Sequence, residues 1–154
     1  MAVYTMAFTK IFIGTTAAAA DLAEYKLDTY VEIKEVESIS ALVDAQNFAQ
    51  FSSLGNGRAR NFKTTRSGEN ITLSCGFDPD DDGQDALRAA AADQTQAGYN
   101  FKVVYNDEGA TLPTTVFWKG KAGNDVLPSG GNEDVGKVNY MVTNDTGFTV
   151  EFRS

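Results

Sequence analysis

The sequence predicts a mainly β protein with one short α-helix and one long inter-strand loop. Short apolar alternations rich in β-branched and aromatic residues recur along the chain, and Gly, Asn and Asp punctuate them. A single run of helix formers stands apart, Asp82 to Asp93. The alternations predict strands at Phe8–Gly14, Tyr30–Ile39, Asn47–Leu54, Asn70–Phe77, Asn100–Tyr105, Thr115–Ala122, Gly136–Thr143 and Phe148–Phe152. Asn144–Gly147, "NDTG", reads as a hairpin turn, because Asn, Asp and Gly tolerate positive φ. "GTTAAAADLAEYKLD" fits a helical turn or an excursion between strands equally.

The helix begins in "FDPDDDGQDALRAAAAD", which opens like a calcium-binding loop: Asp78, Asp80, Asp82, Gly83. Such a loop needs a bidentate carboxylate at its twelfth position. That position is Ala89, and the ninth is Ala86, so half the ligand set is missing. The aspartates instead suit a helix start, where acidic side chains cap free N–H groups and oppose the dipole. Asp80, Asp81 and Asp82 are assigned there, behind Pro79, with Gly98 where the chain leaves toward the next strand.

A chain of 154 residues, 42% hydrophobic, is long enough for one domain with a real core. The net charge of −8 argues against a protein that grips nucleic acid through a basic face. The start "MAVYTMAFTK" lacks the basic and apolar regions of a signal peptide, and no window resembles a membrane span, so folding in a cytoplasm is expected. One cysteine precludes an internal disulfide, and Cys75, inside an alternation, is expected to be a small buried hydrophobe. With no histidine, Ser-His-Asp and Cys-His catalysis and the commonest zinc ligand are absent. The sequence also lacks a glycine-rich phosphate cradle, and no enzymatic activity or cofactor is expected.

Between the third and fourth predicted strands, Gly55–Asn70 carries Arg58, Arg60, Lys63 and Arg66 with no acid until Glu69. On charge alone this is a solvated loop or hairpin tip. In "ENITLSCGF", Ile71, Leu73, Cys75 and Phe77 share one parity and are assigned to the core, which leaves Asn70, Thr72 and Ser74 on the opposite face.

In order, "FTKIFIGTTAAAADLAEYKLDTYVEIKEVESIS" and "ITLSCGFDPDDDGQDALRAA" resemble the tail tube proteins of long-tailed bacteriophages, including the lambda tail tube family. The F-D-P-D…GQ-x-AL-R segment carries most of the resemblance. "FKVVYNDEG", "TVFWKGKAG" and "GKVNYMVTNDTG" resemble that family's final strands. The resemblance implies a β-sandwich or partial barrel flanked by one helix, forming hexameric rings that stack into a tube for DNA. It implies a single tail-tube domain over 1–154, without the C-terminal immunoglobulin-like domain of the lambda pattern, located in the virion tail after cytoplasmic assembly. The implied partners are further copies of the chain, tape-measure, tail-tip and tail-terminator proteins, and double-stranded DNA in passage, with no membrane anchor.

The resemblance also assigns roles to surfaces. Arg58, Arg60, Lys63 and Arg66 become an inter-subunit contact loop, and Asp78, Asp80, Asp81 and Asp82 an acidic interface as well as a helix start. Asn70, Thr72 and Ser74 would face the lumen, joined by Glu32, which is opposite in parity to Val31 and Ile33. Two other readings compete: a type VI secretion-like tube subunit, and a carbohydrate-binding β-sandwich using Trp118, Tyr4 or Tyr99 as stacking surfaces. Trp118 lies in the alternation "TVFWKG", which favours burial.

Overall fold

A computed structural model describes residues 5–106 and 113–152. Along the chain run β1 (Lys10–Ile13), α1 (Leu22–Leu27), β2 (Val31–Ile33), β3 (Val36–Ile39), β4 (Asp44–Ser52), β5 (Ala59–Gly68) and β6 (Ile71–Gly76). They are followed by α2 (Asp82–Ala92), β7 (Tyr99–Val104), β8 (Thr115–Gly120), β9 (Ala122–Val126), β10 (Lys137–Val142) and β11 (Thr149–Glu151). A five-stranded sheet, ordered β11-β8-β7-β1-β2, faces a four-stranded sheet, ordered β3-β6-β10-β9, and β4 pairs with β5 in a separate two-stranded hairpin. The sheets form an open sandwich, not a closed barrel.

Strand alternation builds the core. Ile11, Ile13, Phe101, Val103, Val116 and Trp118 point inward from the larger sheet, and Ile71, Leu73, Cys75, Val138, Tyr140 and Val142 from the smaller one. Trp118 is fully buried, stacked on Phe101 at 5.6 Å and edge-on to Phe148 at 5.6 Å. Burial pushes the Cys75 thiol up to about 11, so it stays protonated as the small hydrophobe expected from its pattern.

Two predicted strands are each broken as they pass from sheet to sheet. Tyr30–Ile39 becomes β2 in one sheet and β3 in the other, with the corner at Glu35, whose φ is 61°. Thr115–Ala122 likewise splits at Lys121 into β8 and β9; Gly120 must lack a side chain, since a Cβ there would lie 1.8 Å from the Thr143 carbonyl oxygen. Phe8, with φ of 65°, lies before β1 rather than within it. The 144–147 turn forms, with Gly147 at φ of 78°, but it is not a hairpin turn. It joins β10 of one sheet to β11 of the other, and these do not pair.

Three further expectations are corrected. The described residues form two helices, because Asp21 caps α1 by accepting from Glu24 N at 2.9 Å while Glu24 accepts from Ala20 N at 2.8 Å, a reciprocal start. Tyr25 of α1 is buried against Phe117 on the outer face of the larger sheet, rings 5.6 Å apart. Phe77 follows the core parity of β6 but is 44% exposed, because the strand ends at Gly76. Lastly, most of the predicted loop is the ten-residue strand β5, exposed along its whole length.

Candidate functional site

The surfaces that distinguish this sandwich are a projecting hairpin, an acidic end opposite it, and the uncovered face of the smaller sheet. β4 and β5 pair from Asp44↔Gly68 to Ser52↔Ala59, with a register shift between Gln46 and Phe48. Nine strand residues span about 30 Å. The register sorts the distal part into two faces: Ala49, Phe51, Arg60 and Phe62 share one, and Phe48, Gln50, Asn61 and Lys63 the other. Phe48, Phe51 and Phe62 are 60%, 53% and 49% exposed. Charge-based reading of this segment overlooked these aromatics, although F-x-x-F and N-F in "QNFAQF" and "RNFK" carried the signal.

The four predicted cations all lie on this element, in different settings. The Arg60 guanidinium sits 5.9 Å from the Phe51 ring centre and 5.7 Å from that of Phe62, between two exposed rings. Arg66, at the hairpin root, pairs with Asp44 at 3.0 Å. Among the described residues no carboxylate pairs with Arg58, Arg60 or Lys63, so the distal hairpin carries uncompensated positive charge.

The hairpin leaves the smaller sheet at the Ile71 end of β6, where Glu69 N donates to Val43 O at 3.2 Å. The predicted aspartates lie beyond its other end, at Gly76. Asp81 caps α2 and is buried, accepting from Gln84 N at 3.0 Å and Lys34 N at 3.1 Å. Asp78 accepts from Asp80 N at 3.0 Å, while Asp80 and Asp82 are exposed. The structure therefore removes Asp81 from the accessible acids and leaves Asp78, Asp80 and Asp82 beside exposed Glu35. At the same end, Lys137 is paired with Glu37 and Arg88 with Asp85. Exposed Lys34 lies beside Asp80 and Asp82 with no ion pair among the described residues, but the acids outnumber it. The chain is thus polarised, negative at one end of the sheet and positive on the arm leaving the other.

The segment F-D-P-D…GQ-x-AL-R proves to be a packing device. Gly83 lies so close to β2 that a Cβ would be 2.0 Å from the Glu32 carbonyl oxygen. Fully buried Gln84, a residue the sequence did not single out, donates to Lys34 O at 3.1 Å and Gly76 O at 2.9 Å and accepts from Asp78 N at 3.3 Å. It satisfies backbone at the β2–β3 corner and the end of β6 together. Leu87 enters the core, and Arg88 reaches the Tyr140 hydroxyl at 3.4 Å.

Thr72 and Ser74 lie on the outer face of the smaller sheet, half-buried, beside Asn139 and Met141 across the β6–β10 register, with exposed Asn70 just before the strand. Glu32 does not join them. It sits on the outer face of the other sheet, paired with Phe12. On that face Lys102 lies 4.3 Å from the Phe12 ring centre and 4.7 Å from that of Tyr30, and burial lowers its pKa. Of the proposed stacking aromatics, Trp118 is core, Tyr99 is half-buried and donates to Asp93 at 3.0 Å, and Tyr4 lies outside the described residues.

This fold and these surfaces define a structural, mainly β building block. The profile of the phage tail tube protein family, TTP, matches residues 13–117, and the chain belongs to that family. No curated protein sequence matches it. Among solved structures, the chain is similar to the sheath/tube terminator of the PVC extracellular contractile injection system, extended state: TM-score 0.67, 15% identity, covering 97% of this chain and 96% of that one. It is also similar to a chain of the anti-feeding prophage baseplate, with TM-score 0.68 and 14% identity over 99% and 97% of the two chains. A third is the PVC sheath-tube complex in the extended state, with TM-score 0.65 and 14% identity over 97% and 93%. At such identities the likeness concerns the fold.

Proposed function

We propose that this chain is a single-domain tail tube subunit that self-assembles into hexameric rings stacked into a tube for double-stranded DNA. The observation that carries the reading is the β4–β5 hairpin. An isolated two-stranded hairpin is marginal in water, and this one adds exposed aromatics and unpaired cations, so its partner lies outside its own subunit. The opposite charge at the far end of the sheet supports a head-to-tail contact. Such a contact joins different patches, so it closes into a ring or runs on along a stack according to the rotation between copies, and between successive rings it propagates. Arg58, Arg60 and Lys63 are its donors, and Asp78, Asp80, Asp82 and Glu35 their counterparts on the neighbour.

The outer face of the smaller sheet is the lumen wall in this reading. It presents Thr72, Ser74 and Asn139; among the described residues its pair Glu37–Lys137 is internally neutral, and Glu133 and Asp134 lie beside Lys137 and Asn139. A wall without net positive charge suits passage of DNA, which carries a charge every ~1.7 Å and would be held by a basic wall through counterion release. Tape-measure, tail-tip and terminator proteins are the partners at the tube's ends, and the virion tail is the location. Similarity to contractile injection system structures favours one alternative: an injection-type tube, carrying another cargo, would use the same surfaces.

Negative-stain electron microscopy of Arg58→Glu, Arg60→Glu, Lys63→Glu protein tests the hairpin's role. A single exposed pair contributes about 0–1 kcal/mol, but reversal is repeated at every contact of a polymer. The expected result is a folded monomer with parental circular dichroism that forms no tubes. Normal tubes would remove the hairpin from the interface.

A further inference from the structure

The 144–147 turn meets both strands of the hairpin at their root. Asn144, only 8% exposed, donates from Nδ2 to Val43 O, just before β4, at 3.3 Å, and accepts at Oδ1 from Gly147 N at 2.9 Å. Gly68, the last residue of β5, packs so tightly on it that a Cβ would lie 2.6 Å from Asn144 Nδ2 and 2.7 Å from the Asn144 carbonyl oxygen. On the turn's other side, a Cβ on Gly147 would lie 3.1 Å from Asp44 Oδ2, and Asp44 holds Arg66 across the hairpin. The turn itself is fixed to the sandwich: Asp145 N donates to Lys119 O at 3.0 Å, and Lys121 pairs with Asp145 at 2.8 Å.

The bonds between β4 and β5 tie the two strands to each other and leave their angle to the body free. Asn144 supplies what they lack. We propose that Asn144 is a positioning residue for assembly: it clamps the root of the β4–β5 hairpin to the β10–β11 turn, so that the arm meets a neighbouring copy already aimed. The inference rests on the reading of the hairpin as the assembly arm. A lever about 30 Å long amplifies any freedom at its root, and an arm that must be ordered on docking loses affinity relative to one ordered beforehand.

Asn144→Asp keeps the oxygen that accepts from Gly147 but replaces the donor to Val43 with a second acceptor, so the turn survives and the clamp does not. Gly68→Ala wedges the same contact from the β5 side. Spin labels at Asn56→Cys, in the hairpin turn, and Gln94→Cys, just beyond α2, report the arm's angle in dilute protein shown to be monomeric by ultracentrifugation; Cys75 is buried and stays unlabelled. The parent should give one narrow distance and both variants a broad distribution, with the sandwich's circular dichroism preserved. The concentration needed for tubes should rise about tenfold, the equivalent of ordering one or two side chains at each contact. An unchanged distance distribution overturns the clamp. Broadening with unchanged assembly overturns its role in positioning, and the triple charge reversal run alongside shows whether the hairpin reading fails with it. Should Asn144→Asp unfold, Gly68→Ala decides by the same criteria.

Discussion

β5 and β6 are consecutive strands separated by two residues, each paired antiparallel within a different sheet, and their surroundings are opposite. β6 alternates buried and half-buried positions, with Ile71, Leu73 and Cys75 sealed between two sheets. β5 has ten residues and all are exposed; its one neighbour is β4. The backbone geometry is shared, so the difference lies in what each strand is built to touch: β6 is completed by its own subunit, and β5 is not. Substitutions in the two strands should therefore register in different measurements, monomer stability for β6 and assembly for β5.

The sharpest test on the completed side is Leu73→Ala. Leu73 is fully buried in the centre of the smaller sheet, and deleting such a side chain costs about 2–5 kcal/mol in transfer and cavity terms. Chemical denaturation of the monomer should show a loss of that size. A loss below ~1 kcal/mol would mean that the sandwich is not closed without neighbours, and the contrast with β5 would dissolve.

The same contrast explains which parts of the molecule were legible in its sequence. "NITLSCGF" announces itself because one face must be apolar, and the acidic run before "GQDALRAAAAD" marks a helix start that lies within a residue of the one observed. "ARNFKTTRSG" has no such alternation because neither of its faces meets the subunit's core, so composition alone made it a loop. The corner at Glu35 was hidden for another reason: "YVEIKEVESI" alternates straight through a change of sheet, and a single residue at positive φ leaves the pattern intact. The 144–147 residues fixed a tight turn but not which strands flank it in space, since pairing with β8 is a long-range choice. Gln84 and Asn144 were illegible as individuals, because a buried amide is recognised only from the carbonyls around it.

A smaller effect is expected where the subunit pins its own loop. Asp28 accepts from Thr15 N at 2.8 Å, Thr15 Oγ1 at 2.6 Å, Thr29 N at 2.9 Å and Asn100 Nδ2 at 2.8 Å. Burial pushes its pKa up, but the bonds from Thr15, Asn100 and Thr29 outweigh that and hold it below the usual carboxylate value. A depressed folded-state pKa gives stability that is complete above the unfolded value near ~4 and is lost as pH falls through the folded one. Asp28→Asn should cost about 1 kcal/mol at neutral pH, held to that size by solvent screening. The gap to the parent in thermal melts should close below pH ~4. A gap that does not narrow at all as pH falls below ~4 would assign the cost to lost geometry rather than lost charge.

The smallest effect on the monomer, and the one that most divides the two strands, belongs to Phe51 and Phe62. They lie on one face of the hairpin, half-exposed, with the Arg60 guanidinium between them, and neither ring belongs to the core cluster. Removing both rings takes away little that the isolated subunit has buried, so Phe51→Ala with Phe62→Ala should change its stability by no more than about 0.5–1 kcal/mol, the worth of an exposed cation–π contact. In a tube the same rings would be covered by a neighbour, where a buried aromatic at the centre of a contact is worth about 2 kcal/mol or more and the loss recurs at every subunit. The double variant should therefore melt like the parent yet fail to sediment as polymer at concentrations where the parent does. Polymer formed at the parental concentration would leave the rings as exposed surface with no assembly role. A fall in monomer stability of several kcal/mol would show instead that the hairpin folds back on its own sandwich in solution, which would erase the difference between β5 and β6.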